Sequence, residues 1–95
     1  MIKVVASFLV EGDKIEEFKE NTEDLVKKTR QEEGNISYEL YQDTDNSQLF
    51  TFIEEWEDQQ ALNNHMETNH FQKAIESIEK IITSEPEINT YKKIK

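Results

Sequence analysis

Cysteine is missing from the 95-residue chain, which excludes disulfide staples, thiolate nucleophiles and cysteine metal sites together. Glycine occurs only twice; Gly12 and Gly34 each close a periodic segment, so no glycine-rich loop exists to cradle a phosphate. Nor is there the glycine-flanked serine of a nucleophile elbow. Basic residues are scarce: 11 Lys and Arg stand against 21 Asp and Glu, for a formal net charge of -10. That balance repels nucleic acid and anionic membranes alike, and no basic run offsets it. No apolar run approaches the roughly 20 residues that a membrane helix needs, so the expectation is a soluble, cytoplasmic protein. The opening MIKVVASFLVEGDK is apolar but lacks a small-residue cleavage pattern and leads into charged helix, so it reads as a first strand.

What is present is patterned. Apolar residues make up 35% of the chain and charged residues 34%, low in apolar content but periodic enough to specify a folded unit, here a single domain over residues 1–95. A core this small gives marginal stability on its own, and a partner subunit would add to it.

Ile2 to Val10 alternates with apolar residues in both rows, as a strand covered on both faces does. Asp13 with Glu16 matches a capping box and predicts a helix to about Gln31, with Ile15, Phe18, Leu25, Val26 and Thr29 inward and Thr22 a weak member of that face. Gly34 is expected to end this helix as its left-handed C-cap. Ile36 to Gln42 predicts a second strand with Ile36, Tyr38 and Leu40 on one face. The turn-formers Asp43 to Ser47 then join it to Leu49–Trp56 as a hairpin. Asp58 can cap a helix reaching about Met66, and Thr68 a further helix from Asn69 to about Thr83. Phe71, Ala74, Ile75, Ile78, Ile81 and Ile82 form the core stripe of that helix. After Pro86, Glu87 to Ile94 reads as a last strand.

The stretch from Leu49 to Phe71 holds the single tryptophan, both histidines and three of the five phenylalanines. Alternation puts Phe50, Phe52, Glu54 and Trp56 on one strand face, so one acid shares a face with three aromatic rings. Burial of an unpartnered carboxylate is costly and favours its neutral form. Glu54 is therefore either a proton donor or acceptor in a pocket, or an acid hydrogen-bonded to backbone or to His65. His65 falls on the apolar face with Ala61, Leu62 and Met66, where a satisfied core histidine and a pocket group both fit. His70, five residues on, would lie about 140° away in one unbroken helix, so the pair is not expected to chelate a metal, although a break at Thr68 could bring them closer. Trp56, Phe52, Tyr38 and Phe71 are core rings or the walls of an apolar cleft.

The pattern Glu54-x-Trp56 followed by Ala61-Leu62-x-x-His65 and His70-Phe71, with the E-E-G turn at Glu32 to Gly34 and Tyr38-x-Leu40, resembles the antibiotic biosynthesis monooxygenase family, especially its small quinol monooxygenase-like members. The resemblance implies a ferredoxin-like α+β fold, a dimeric α/β barrel, in which helices cover one face of a four-stranded antiparallel sheet. The strand and helix order agrees. Strands apolar on both faces would then leave an apolar row exposed, which a sheet-to-sheet homodimer covers.

For activity, the resemblance implies oxidation of a small electron-rich aromatic by dioxygen without metal, flavin or haem. Glu54 and His65 are then the catalytic pair, and Trp56, Phe52, Tyr38, Phe71 and His70 the substrate-binding set. Three alternatives stay open: an isomerase or lyase acting on a small dihydroxy-carbonyl compound, a haem-binding or haem-degrading member, and a non-catalytic small-molecule-binding dimer. The second departs from the sequence, because the haem-degrading branch's asparagine, tryptophan and histidine positions fall at about Ala6 or Ser7, His65 and Ile75.

Overall fold

A computed structural model describes residues Met1–Lys95. The strands β1 (Ile2–Leu9), β2 (Asn35–Gln42), β3 (Leu49–Trp56) and β4 (Glu87–Lys92) and the helices α1 (Ile15–Thr29), α2 (Gln59–Met66) and α3 (Asn69–Glu79) follow the order β1-α1-β2-β3-α2-α3-β4. The sheet order is β2-β3-β1-β4 with every pair antiparallel, the ferredoxin-like arrangement. The two central strands align Val4 with Glu54, Ala6 with Phe52 and Phe8 with Phe50. All six are buried, so Glu54 sits in the main apolar row of the domain.

Phe18, Leu25, Leu62, Ala74 and Ile78 come down on that row from the helices. Thr22 is also buried in α1, and its hydroxyl donates to the Phe18 carbonyl at 2.9 Å, which satisfies the polar group locally. The opposite sheet face carries Val5, Leu9, Leu49 and Ile53, all half-buried, with Tyr41 and Tyr91 exposed beside them. No helix crosses it.

Asp58 and Thr68 cap as expected: Asp58 accepts from the Ala61 amide at 2.9 Å and Thr68 from the Phe71 amide at 3.2 Å. Asp43 organises the hairpin loop by accepting from the amides of Asp45 and Asn46.

Four local expectations give way to longer-range contacts. Asp13 does not cap α1, whose N-cap is Lys14 without a side-chain bond; the turn is closed by the Lys14 amide on the Glu11 carbonyl. The last helix stops at Glu79, because the next residues pair with the end of β1: the Glu11 amide donates to Ile81, Ile82 bridges Val10, and the Thr83 amide donates to Leu9. Ile36 does not join the face of Tyr38. A bulge between Asn35 and Ser37 makes it the extra residue, and it is exposed. Gly34 is not the C-cap of α1, which ends four residues earlier at a right-handed Arg30. Gly34 has φ 88°, and a Cβ there would lie 2.5 Å from the Ala61 Cβ. It thus allows the turn before β2 to press against the first turn of α2.

Candidate active site

β3 delivers the acid. Glu54 and Trp56 are two residues apart on the buried face, and the indole Nε1–H donates to Glu54 Oε1 at 2.9 Å. No hydrogen bond joins Glu54 to His65 or to backbone, so the indole is the partner that sequence reasoning did not foresee. Burial raises the Glu54 pKa from 4.5 to about 7; the indole bond opposes that shift, and the nearby Glu32 charge adds to it. Across the β2–β3 ladder Tyr38 pairs directly with Glu54. Its phenol is held well above its ordinary value, first by burial and then by the charges of Glu54 and Glu32. The phenol is therefore a proton-bearing donor at neutral pH.

α2 delivers the histidine. Asp58 sets the start of that short helix, and its inward face, Ala61, Leu62 and His65, is buried. His65 is only 1% exposed and is enclosed by rings, with centroids at 4.7 Å from Trp56, 4.9 Å from Phe71 and 5.5 Å from Tyr38. Burial lowers its pKa, opposed by the hydrogen bond and charge of Glu32 and reinforced by His70. Its Nδ1 lies 2.7 Å from Glu32 Oε2. An ionised carboxylate can only accept, so Nδ1 carries the proton and Nε2 of the neutral ring is left with a lone pair. That Nε2 is buried and has no partner.

The same carboxylate oxygen also meets His70 Nε2 at 2.7 Å. The break between α2 and α3 makes this possible: the Thr68 hydroxyl donates to the His65 carbonyl at 2.7 Å while accepting from the Phe71 amide. The angular separation expected of an unbroken helix is thereby lost.

Tyr38, Phe52, Glu54, His65 and Phe71 all line one cavity of about 250 Å³, floored by β1 and β3 and roofed by α2 and α3. Ile88 and Thr90 of β4 lie at its edge with Met66 opposite; Ile88 and Met66 are exposed, which places the mouth between β4 and the helices. Five of the seven residues expected at the site therefore border the same space. Trp56 and His70 do not: Trp56 is fully buried and acts on Glu54 through its indole, and His70 borders a separate groove beside α1. Glu32 was missed. It lies in the E-E-G turn, where neither periodicity nor spacing distinguishes it from the exposed Glu33.

The family model for antibiotic biosynthesis monooxygenase matches residues 1–77. The chain is 39% identical over 72 residues to YcnE of Bacillus subtilis, whose provisional designation is a monooxygenase; the match covers 76% of each chain. It is 33% identical over 91 residues to an uncharacterised Synechocystis protein, sll1783, covering 96% of this chain and 62% of that one. Among solved structures, a conserved protein from Methanosarcina mazei Go1 superposes with TM-score 0.95 at 35% identity, covering 98% of this chain and 92% of that one. A structure described as an antibiotic biosynthesis monooxygenase gives 0.96 at 30% identity, with both chains fully covered. A match over residues 1–77 takes in the sheet's first three strands and nearly all of the helices that build the cavity, and on that ground the chain belongs to the antibiotic biosynthesis monooxygenase family.

Proposed function

We propose that this protein is a monooxygenase that oxidises a small, electron-rich, quinol-like aromatic with dioxygen, and that the electrons come from the substrate itself. The observation that carries the reading is the pairing, in one apolar cavity, of Glu54, whose pKa is raised to about 7, with a neutral His65 whose Nε2 has no protein partner. At about 250 Å³ the space is slightly below the roughly 300–1,000 Å³ of drug-sized sites, which suits a ligand of one or two fused rings.

The chemistry asks little of the protein. His65 Nε2 takes the proton of a substrate hydroxyl, the resulting phenolate transfers electron density to dioxygen as a carbon–oxygen bond forms at an unsubstituted ring carbon ortho or para to it, and the imidazolium returns its proton to the peroxide. The hydroperoxide then breaks its O–O bond as the ring carbon loses its proton. One oxygen stays as the quinone carbonyl, and the other leaves as water after accepting a proton from Glu54. A phenol plus dioxygen gives a quinone plus water, with no further reductant. General acid–base groups work best with pKa values near the operating pH, as Glu54 has. Phe52, Phe71 and Tyr38 hold the ring and keep water from the intermediate.

The half-buried apolar row of Val5, Leu9, Leu49 and Ile53 supports a homodimer through the uncovered sheet face. The test of function is dioxygen uptake with a panel of hydroquinones and naphthols. Uptake well above the spontaneous rate is expected, falling on the order of a hundredfold in Glu54→Gln and in His65→Ala. No uptake above background with any member, from folded protein, would remove the reading.

A further inference from the structure

The Glu32 carboxylate is part-buried, with its side chain 13% exposed, yet neither lysine nor arginine pairs with it; its partners are two imidazoles. Both contacts fall on one oxygen, Oε2, at 2.7 Å from His65 Nδ1 and 2.7 Å from His70 Nε2. The three donor atoms lie within 4.8 Å of one another. We infer that Glu32, His65 and His70 form a binding site for a zinc-like divalent transition metal, lying on the far side of the His65 ring from its unpaired nitrogen. This inference does not rest on the monooxygenase reading, and the two exclude each other in one molecule at one time: metal on Nδ1 puts the ring proton on Nε2, so the zinc-bound form lacks the free base.

Two neutral imidazole nitrogens and one carboxylate oxygen are the donor set of three-ligand zinc sites, with a fourth position left for water. The two nitrogens favour zinc, nickel, copper or cobalt over magnesium or calcium, which prefer oxygen cages. Ligands held at about 2.1 Å from a tetrahedral zinc stand roughly 3.4 Å apart, so the carboxylate must draw back by about 0.7 Å from each ring as each ring carries its proton on the other nitrogen and the metal takes the lone pair facing Glu32. A shift of that size is within reach of the Glu32 side-chain torsions while the turn itself stays in place. The two imidazole nitrogens, within 4.8 Å of each other, must also close toward that spacing, by up to about 1.4 Å, and the junction held by the Thr68 hydroxyl already sets both rings on the same carboxylate oxygen. His70 also borders an open groove lined by Asp24 and Glu76 together with Lys28 and Lys73, which opens the site to solvent.

The experiment is calorimetric titration of tag-free protein with ZnCl₂, paired with the visible spectrum of the cobalt(II) form. One metal per chain is expected, with cobalt bands of low-coordinate nitrogen and oxygen ligation. His70→Ala and Glu32→Gln should each weaken binding by about tenfold or more, and Glu33→Gln should leave it unchanged. If either site variant proves unfolded, long-range ¹H–¹⁵N spectra of the native protein decide the matter, because zinc should shift His65 Nδ1 and His70 Nε2. Absence of a saturable site, binding that is equal in folded His70→Ala, or zinc that moves neither nitrogen would overturn the inference. Each of those results leaves dioxygen uptake untouched, so failure here is distinguishable from failure of the proposed function.

Discussion

Glu54 makes folding stability fall as pH rises, which is unusual for a carboxylate, and the size of the effect follows from its burial. In the unfolded chain the carboxyl ionises near 4.5; in the native protein it keeps its proton to about 7. Below the unfolded value both states are protonated and burial carries no ionic penalty. Between the two values the unfolded chain releases the proton first, so stability is lost at about 1.4 kcal/mol per pH unit, and above about 7 the loss is complete. The total is about 3 kcal/mol, a large share of the roughly 5–15 kcal/mol that holds a domain together.

Glu54→Gln isolates this contribution. Glutamine keeps an oxygen to accept from the Trp56 indole but has no proton to lose. The groups facing position 54 are Tyr38 from β2, Glu32 from the turn and His65 from α2. The lowered pKa of His65 acts with the opposite sign, costing stability as pH falls below its ordinary value, but it titrates in both proteins and largely cancels in their difference. Urea midpoints should be measured at fixed protein concentration from about pH 4 to about pH 8, since any dimerisation adds a concentration term. The variant should gain on wild type by about 3 kcal/mol across that range. Parallel profiles would show that Glu54 titrates normally, and would remove it as the acid of the proposed reaction.

Other residues give sharper single tests. Gly34→Ala combines a left-handed backbone cost of roughly 1–2 kcal/mol with an overpacking cost of roughly 1–3 kcal/mol against Ala61, so a fall in Tm of roughly 10 °C or more is expected by calorimetry; a loss of a degree or two would mean that α2 yields freely. Trp56→Phe removes the donor that holds the Glu54 pKa down, and the pH–rate limb assigned to that acid should move to higher pH; an unmoved limb would mean that the indole bond is not made in solution. Leu9→Lys should turn a dimer into a folded monomer by sedimentation, whereas Phe8→Lys, on the buried row, should unfold the chain; a Leu9→Lys protein that still sediments as a dimer would place the interface elsewhere.

Periodicity exposed most of the fold because each element meets a continuous surface. β3 alternates without exception between buried and half-buried residues, which put Phe50, Phe52, Glu54 and Trp56 on one face from sequence alone. Asp58 and Thr68 were readable as caps because a cap bond closes within three residues. The elements that misled depend on distant backbone: Ile81 and Ile82 continue the helical stripe of α3, yet their segment hydrogen-bonds to β1 and β1's extension, some seventy residues away. Ile36 fits the strand pattern, but Asn35 donates to Ser37 and Glu55 carbonyls and bulges it outward.

The polar partners within the site were the least legible, and the reason is geometric. Glu54 and Trp56 are near neighbours in sequence, but whether an acid turns to an indole or to a histidine depends on rotamers that packing selects. Glu32 is separated from His65 by 33 residues and from His70 by 38, and its turn has no periodicity to say which way a side chain points. What brings it there is Gly34. Without a Cβ, and with φ at 88°, Gly34 lets the turn close on Ala61, while its carbonyl accepts from the Glu57 amide at 2.9 Å. These contacts fix the turn against the start of α2, one helical turn before His65. A glycine that reads as a helix terminator is, in the folded chain, the point where the Glu32 turn is locked to the helix carrying the candidate base. Any substitution that pushes the turn away from Ala61 should therefore disturb the Glu32–His65 bond before it disturbs the sheet.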